Sequence, residues 1–206
     1  MNDRTRPEPA NVFTVRHRVT QDDRHRANRH RGGILWFTGL SGAGKSTLAV
    51  GLEKALFARR YQVYTLDGDN VRQGLSADLG FAPADRAENI RRIGEVAALF
   101  AEAGMVVITA FISPYRADRE RIRTAHPDIF NEIHIDAPLE TCEARDTKGL
   151  YRRARAGEVK EFTGVSAPYE PPAAPELRVR TAERSVDDCL AELLTYVEGT
   201  LSLSPR

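Results

Sequence analysis

Short apolar runs alternate with stretches of helical periodicity from residue 32 to the end of the chain. The apolar runs that predict buried strands are 34–38, 63–66, 105–109, 129–135 and a short one at 177–179. Apolar residues at helical spacing, or a proline near a helix start, predict helices over 45–59 and 85–103, after Pro114, from Pro138 and over 186–197. Strands that alternate with helices predict a single α/β domain over 32–206, in which helices cover both faces of a parallel sheet.

Residues 1–31 differ from the rest of the chain. They contain eight arginines against four acidic residues, with few apolar side chains. Such a segment buries too little surface to offset the entropy lost on ordering, so we predict a basic, flexible N-terminal arm. The arm is either a solvated tail or a cover over an anionic ligand or a partner subunit.

Composition and charge narrow the function classes. The chain of 206 residues has 30 basic and 29 acidic side chains and a formal net charge of +1, so anion binding has to be local and nucleic acid is not an expected partner. Cys142 and Cys189 fit neither a metal-ligand spacing nor a disulfide framework. No apolar run approaches the ~18 residues that span a bilayer, and the N-terminus lacks a signal-peptide pattern. We therefore expect a cytoplasmic protein without a membrane partner.

The first junction between a predicted strand and a predicted helix carries the strongest motif. It matches the P-loop pattern G-x-x-x-x-G-K-[S/T] and adds one more hydroxyl residue: Gly39, Leu40, Ser41, Gly42, Ala43, Gly44, Lys45, Ser46 and Thr47. The glycines let backbone N–H groups point at phosphate oxygens, and the helix dipole adds positive potential there. We predict that Lys45 reaches the β- and γ-phosphates of ATP and that the Ser46 hydroxyl is a ligand of Mg²⁺.

Two acidic residues, Asp67 and Asp69, follow the second predicted strand. Ligands of open α/β sheets bind at the carboxyl ends of the strands, which places both acids at the expected site. One carboxylate would hold Mg²⁺ through water while the other accepts a proton from an attacking hydroxyl. The alternative is a turn followed by a helix cap, where Asp is also favoured. No Asn-Lys-x-Asp element for reading guanine occurs, so the combination favours a kinase over a switch GTPase.

Basic residues outside the P-loop predict a second anionic ligand. Arg86 and Asn89 are three apart near a predicted helix start and therefore share one face. Arg72, three residues after Asp69, would close on the same crevice. Arginine suits this role because its planar fork donates in fixed directions. For any single arginine, a solvated helix face is the alternative.

The segment 148–176 is rich in glycine, proline and charge, and includes Lys148 and Phe162. Unstructured loops of this length are uncommon in compact domains unless they serve a ligand. We predict that it is a mobile lid, because phosphoryl transfer requires that water be kept from the reacting phosphate.

Taken together, these motifs resemble those of the adenylylsulfate kinase family. The matching segments include FTGLSGAGKST at 37–47, LDGDNVR at 66–72, DRAENIRR at 85–92 and FISPYR at 111–116, with further matches at 78–81, 142–146, 148–151, 162–164 and 167–170. The resemblance implies a P-loop NTPase fold and transfer of the γ-phosphoryl group of ATP to the 3′-hydroxyl of adenosine 5′-phosphosulfate, with Mg²⁺. It also implies a homodimer.

The resemblance further implies roles for individual residues. Asp67 would be the base for the 3′-hydroxyl and Asp69 would support the metal or the substrate. The implied substrate-binding residues are Asp69, Arg72, Phe81, Arg86, Asn89, Ile112, Ser113, Lys148 and Phe162, with Phe81 and Phe162 stacking on adenine. Arg145 would join the P-loop in binding nucleotide. Ser113 corresponds to a position described in the family as a phosphoserine intermediate, although direct in-line transfer requires only positioning and charge stabilisation.

Two alternatives to this function stay open at the level of sequence. A small-metabolite kinase of the shikimate or gluconate type would share the P-loop but would not need two aromatic rings for adenine. A non-catalytic nucleotide-binding module would use neither the lid nor Asp67 for chemistry.

Overall fold

The computed structural model describes residue 13 and residues 18–203. Its helices are α1 Gln21–Asn28, α2 Lys45–Ala58, α3 Gly68–Val71, α4 Pro83–Glu102, α5 Arg116–Ala125, α6 Leu139–Arg145, α7 Leu150–Arg155 and α8 Val186–Leu201. Its strands are β1 Gly33–Thr38, β2 Val63–Asp67, β3 Val106–Ala110, β4 Phe130–Asp136 and β5 Leu177–Arg180. The predicted strands and long helices are all present, and their ends differ from the predicted ends by up to four residues.

All five strands are parallel and follow the order β2-β3-β1-β4-β5. Phe37 near the end of β1 lies opposite Ala110 on β3 and Ile133 on β4, while Asp67 at the end of β2 also lies opposite Ala110. The strands therefore end at one edge of the sheet, where P-loop folds bind ligands. This confirms the predicted α/β fold.

Successive side chains of β1 point to opposite faces of the sheet, so the hydrophobic core has one part on each face. Leu35 and Phe37 pack on one face with apolar residues of α2 and α8, including Leu52. Ile34 and Trp36 pack on the other face with residues of α4 and α5. Every residue of β1 is buried, as expected for a central parallel strand that helices cover on both sides.

Residues 18–31 of the predicted flexible arm form a helix and contact the domain. Helix α1 begins with a capping box between Thr20 and Asp23, and the Asn28 side chain donates to the Gly104 carbonyl at 3.0 Å. His30 is 2% exposed and accepts from the Gln62 amide at 2.8 Å, and its burial lowers its pKa. These contacts fix this part of the chain on the domain. Residues 1–12 and 14–17, which carry the rest of the predicted arm, lie outside the described residues.

The predicted lid 148–176 is not one continuous loop. It contains α7, whose Tyr151 is buried and donates to the Ser41 carbonyl at 2.9 Å. Pro138 also differs slightly from its prediction, because it is the residue before α6 rather than part of its first turn. The short helix α3 was not predicted. Within the described residues, no helix combines the length and the apolar character needed to cross a membrane.

Helix α4 packs against α5 through a glycine, and this contact can be tested. A Cβ atom added to Gly94 would lie 2.8 Å from Cγ1 of Ile122, so Gly94→Ala is expected to lower the free energy of unfolding by about 1–3 kcal/mol through overpacking. Urea-induced unfolding measures the change. Gly199→Ala is the matched control, because that helical glycine has no neighbour within 4 Å and alanine there is expected to stabilise by about 0.5–1 kcal/mol. Equal effects of the two substitutions would contradict this packing.

Candidate active site

A cavity of about 1040 Å³ lies at the carboxyl edge of the sheet. The predicted site residues that line it are Ser41, Gly42, Gly44, Lys45, Ser46, Thr47, Asp67, Asp69, Arg72, Phe81, Arg86, Asn89, Ile112, Ser113, Arg145, Lys148 and Phe162. Three predicted P-loop residues, Gly39, Leu40 and Ala43, are not among the lining residues. The fold thus brings both predicted anion sites, the P-loop and the group of Arg72, Arg86 and Asn89, to one cavity.

The P-loop needs glycine because its backbone is left-handed and tightly packed. Gly42 has φ 77°, and a Cβ atom there would lie 2.8 Å from the Cys142 carbonyl oxygen. Gly39 approaches still closer, since its Cβ atom would lie 2.3 Å from the Ile135 carbonyl oxygen. Helix α2 begins directly after this turn, so its free N–H groups and its dipole face the cavity. This is the arrangement that binds phosphate.

Lys45 is buried, although it carries an ammonium group. Its Nζ donates to the carbonyls of Gly39 at 2.9 Å and Leu40 at 2.7 Å. Burial is the main cause that lowers its pKa, to about 8. A phosphate beside this ammonium would favour the charged form, which makes Lys45 a suitable partner for the anionic end of a nucleotide.

Ser46 and Asp67 meet across the floor of the cavity. The Ser46 hydroxyl donates to Oδ2 of Asp67 at 2.7 Å, and Oδ1 accepts from the Asp69 amide at 3.0 Å. Asp67 is therefore the N-cap of α3, as the structural alternative predicted, and it also lies beside the P-loop. The cap and the proposed chemical role do not exclude each other, because each uses a different carboxylate oxygen.

The oxygen atoms of Ser46 and Asp67 fit Mg²⁺, which prefers hydroxyl, carboxylate, phosphate and water ligands. Within the described parts of the chain, no group of three or more His, Cys, Asp and Glu side chains could hold a metal ion. A magnesium ion here would therefore complete its coordination with phosphates and water, as Mg²⁺ does in kinases.

Two contacts connect the lid segment to the opposite wall of the cavity. Lys148 forms an ion pair with Asp69, and both side chains are more than half exposed. Arg86 near the start of α4 donates to the Glu161 carbonyl at 2.7 Å and to the Thr163 hydroxyl at 3.0 Å. The basic groups predicted to bind an anion thus hold the lid segment against the cavity in this structure.

The aromatic residues predicted to hold adenine differ in environment. Phe81 is 66% exposed and carries the Arg72 guanidinium 4.3 Å from its ring centroid. Phe162 is buried and contacts Tyr151 edge-on. Both rings line the same cavity, but stacking of adenine between them stays a prediction.

Asn89 lies on the side of α4 that faces the cavity. Its side chain is 4% exposed and lines the cavity, and its Oδ1 atom has no hydrogen-bond partner within the described residues. Buried polar atoms are normally paired, so this oxygen is suited to accept a hydrogen bond from a ligand.

Ser113 is held by structural contacts. It adopts a left-handed φ of 40° and is 2% exposed. Its hydroxyl accepts from the Trp36 indole at 3.1 Å. An indole N–H is a donor only, so Trp36 cannot act as a general base that activates this hydroxyl as a nucleophile. The geometry favours a role in forming the cavity wall.

Arg145 supports the P-loop. It donates to the Gly42 carbonyl at 3.2 Å and to the Thr181 carbonyl at 2.6 Å, and the Thr181 hydroxyl donates to the Ala43 carbonyl at 2.7 Å. Thr181 was missed in the sequence, although its position just after β5 was a usable signal. The same wall of the cavity continues through Arg184 to Cys189.

The parallel sheet, the glycine turn with its lysine and serine, and the neighbouring carboxylate define a P-loop phosphotransferase. A model of the family described as "Adenylylsulphate kinase" matches residues 31–180. The chain belongs to the adenylylsulfate kinase family, and it is an ATP-dependent kinase.

Individual relatives agree with this assignment. The adenylyl-sulfate kinase of Marinobacter nauticus is 52% identical over 190 residues, which cover 92% of this chain and 96% of that protein. The solved structure of the Mycobacterium tuberculosis APS kinase CysC in complex with AMPPNP and APS has a TM-score of 0.78 and 48% identity, and the match covers 82% of this chain and 98% of that one. A gluconokinase from Sinorhizobium meliloti, at 18% identity and a TM-score of 0.56, is similar in fold alone.

Proposed function

We propose that this kinase transfers the γ-phosphoryl group of ATP to the 3′-hydroxyl of adenosine 5′-phosphosulfate, giving ADP and 3′-phosphoadenosine 5′-phosphosulfate. The observation that carries the proposal is the contact between Ser46 and Asp67, which joins the phosphate-binding turn to a carboxylate in one cavity. Arg86 and Asn89 line the same cavity and supply donors and an acceptor for a second ligand. The family relationship supplies the identity of that ligand.

ATP binds through the P-loop in this proposal. The amides of the turn and the start of α2 contact its phosphates, and Lys45 exchanges its carbonyl partners for phosphate oxygens. Arg145 stabilises the conformation of the P-loop by donating to the Gly42 carbonyl. Bound Mg²⁺, held by Ser46 and the phosphates, would neutralise charge that develops on the transferring group.

The acceptor occupies the other half of the cavity. Arg72 and Arg86 pair with its phosphosulfate group, since guanidinium forks match tetrahedral anions. The Asn89 Oδ1 atom accepts a hydrogen bond from an N–H or O–H group of the acceptor, and the rings of Phe81 and Phe162 contact its adenine. Lys148, Asp69 and Ile112 complete this half, and the lid segment keeps water from the reacting phosphate.

Asp67 is the proposed general base. Its hydrogen-bond donors in the structure are a hydroxyl and a backbone amide, whereas Asp69 is paired with a lysine. The Asp67 carboxylate takes the proton from the 3′-hydroxyl, the freed oxygen bonds to the γ-phosphorus, and the bond to the β-phosphate oxygen of ATP breaks. No phosphorylated serine is required.

We further propose that the protein is a homodimer in the cytoplasm, as its family resemblance implies. A hexameric APS kinase from Thiobacillus denitrificans, 34% identical, shows that relatives assemble; the match covers 31% of that chain.

The acceptor is tested by ADP release from ATP and Mg²⁺ with a panel of alcohols. We expect turnover with adenosine 5′-phosphosulfate and none above background with shikimate, gluconate or AMP, because those acceptors lack the phosphosulfate group. Turnover with gluconate or shikimate alone would replace the proposal by one of the alternative kinases. ATP binding without turnover of any acceptor would favour a non-catalytic module.

Asp67→Asn tests the base while its amide oxygen preserves the cap of α3. We expect kcat to fall by roughly 10²–10⁴, because an amide cannot take the proton. Nucleotide binding, measured by calorimetry with a non-hydrolysable ATP analogue, and the melting temperature show whether the site is intact. A kcat close to that of the original enzyme would remove Asp67 as the base.

Ser113→Ala separates direct transfer from a phosphoserine route. Within the described residues, the Ser113 hydroxyl forms its hydrogen bond with the Trp36 indole. We therefore expect kcat to stay within about tenfold of the original value, the cost of one unpaired donor. Incubation with ATP labelled at the γ-phosphate should leave no label on the unsubstituted protein. Label on Ser113, together with loss of turnover in the variant, would establish the covalent route.

A further inference from the structure

Behind the cavity wall, outside the proposed set of ligand-binding residues, lies a buried arginine. Arg119 on α5 is 1% exposed, yet its guanidinium carries a full charge. Its Nε donates to Oε1 of Glu132 on β4 at 2.5 Å. An ion pair this deep is weak evidence for stability, since well-packed apolar residues often stabilise a core equally well. Its other contacts indicate a different role.

The remaining guanidinium donors of Arg119 bind two backbone carbonyls. Nη1 donates to the Ser113 carbonyl and Nη2 donates to the Glu170 carbonyl, at 2.5 and 2.7 Å. Ser113 belongs to the segment 112–114, which lines the cavity. Glu170 lies in the segment where the predicted lid returns to the domain. One planar group therefore fixes the distance between the cavity wall and the end of the lid segment.

Neighbouring contacts lock the same two segments together. The Glu170 amide donates to the Pro114 carbonyl at 2.9 Å, and the Glu170 carboxylate accepts from the Arg116 amide at 2.7 Å. Thr38 donates to the Ile112 carbonyl at 2.7 Å and lies 3.1 Å from the Tyr169 hydroxyl. Since the single Thr38 proton is used on Ile112, the Tyr169 hydroxyl is the donor in the second contact.

The backbone conformation of Ser113 explains why these contacts are needed. Its φ of 40° is unfavourable for a residue with a Cβ atom, so the conformation persists only where surrounding contacts impose it. Arg119 holds its carbonyl and Trp36 holds its hydroxyl. Loss of the guanidinium would let this stretch of wall relax.

We propose that Arg119 is a positioning residue for the acceptor: it sets the shape of wall 112–114 and couples that wall to the end of the lid segment. It touches neither substrate. This inference rests on the proposed function, because Ile112 and Ser113 are assigned there to the acceptor half of the cavity. Nucleotide binding depends on the P-loop, and none of the three Arg119 hydrogen bonds described above reaches a P-loop residue.

The test compares Arg119→Lys and Arg119→Met with the matched control Arg123→Lys. A lysine restores the charge beside Glu132 but cannot reproduce the fork that binds two carbonyls. Arg123 also pairs with Glu132 and with Glu176, and its recorded contacts do not include Ser113 or Glu170. The readouts are KM for adenosine 5′-phosphosulfate, KM for ATP, kcat and the melting temperature.

We expect both Arg119 variants to raise KM for the acceptor by roughly tenfold or more, while KM for ATP stays within about twofold. Arg123→Lys should leave both KM values within about twofold. Full rescue by Arg119→Lys would overturn the proposal, because the charge alone would then suffice. A parallel rise in both KM values, or an equal acceptor effect in Arg123→Lys, would overturn it as well.

Tyr169→Phe keeps the test decisive if the Arg119 variants fail to fold. It removes the Tyr169 hydroxyl that contacts Thr38 and leaves the ion pair between Arg119 and Glu132 intact. We expect a smaller rise of about threefold in KM for the acceptor, with KM for ATP unchanged; an unchanged acceptor KM would overturn the proposal. Absence of acceptor turnover in the unsubstituted enzyme would instead refute the proposed function, so the two failures are distinguishable.

Discussion

The structure depends on the alignment of parallel strand ends at one edge of the sheet. β1 lies between β3 and β4, and every one of its residues is buried, so the turn that follows it has a fixed position. Asp67 at the end of β2 lies in register with the end of β3. Because the turn after β1 and the end of β2 are both fixed in this way, the Ser46 hydroxyl lies 2.7 Å from the Asp67 carboxylate. A buried apolar sheet thereby determines the geometry of a polar site.

Around this contact, several cationic side chains that line the cavity form hydrogen bonds or ion pairs with other groups of the protein. Lys45 donates to carbonyls of its own turn, Lys148 pairs with Asp69, and Arg86 binds the lid segment. Phosphate and sulfate oxygens offer these cations stronger, charge-assisted partners. Ligand binding would therefore exchange partners at preformed positions, which limits the ordering cost of binding. The Asn89 oxygen is the exception, because it has no partner within the described residues and is available to accept a hydrogen bond from a ligand.

The sequence predicts this fold well where local pattern and burial agree. The apolar runs of the strands, the glycines of the P-loop and the acids after β2 each carry their signal within a few residues. Helix α1 lacks an apolar stripe and has no buried residue, so its composition predicts a flexible arm. In the structure this segment is a capped helix, and Asn28 contacts the Gly104 carbonyl. Contacts between distant segments, such as Arg145 with Thr181 and Arg119 with Glu170, leave no local pattern. They depend on the finished topology and could not be predicted.

In the proposed reaction, a carboxylate beside the phosphate-binding turn takes the proton of a ribose alcohol. A crystal structure of the protein with Mg²⁺, a non-hydrolysable ATP analogue and adenosine 5′-phosphosulfate tests it most directly. We expect an oxygen of Asp67 to lie within hydrogen-bond reach of the 3′-oxygen, about 2.6–3.2 Å, on the side facing the γ-phosphate. A 3′-oxygen that lies far from Asp67, or that contacts a different base, would contradict it.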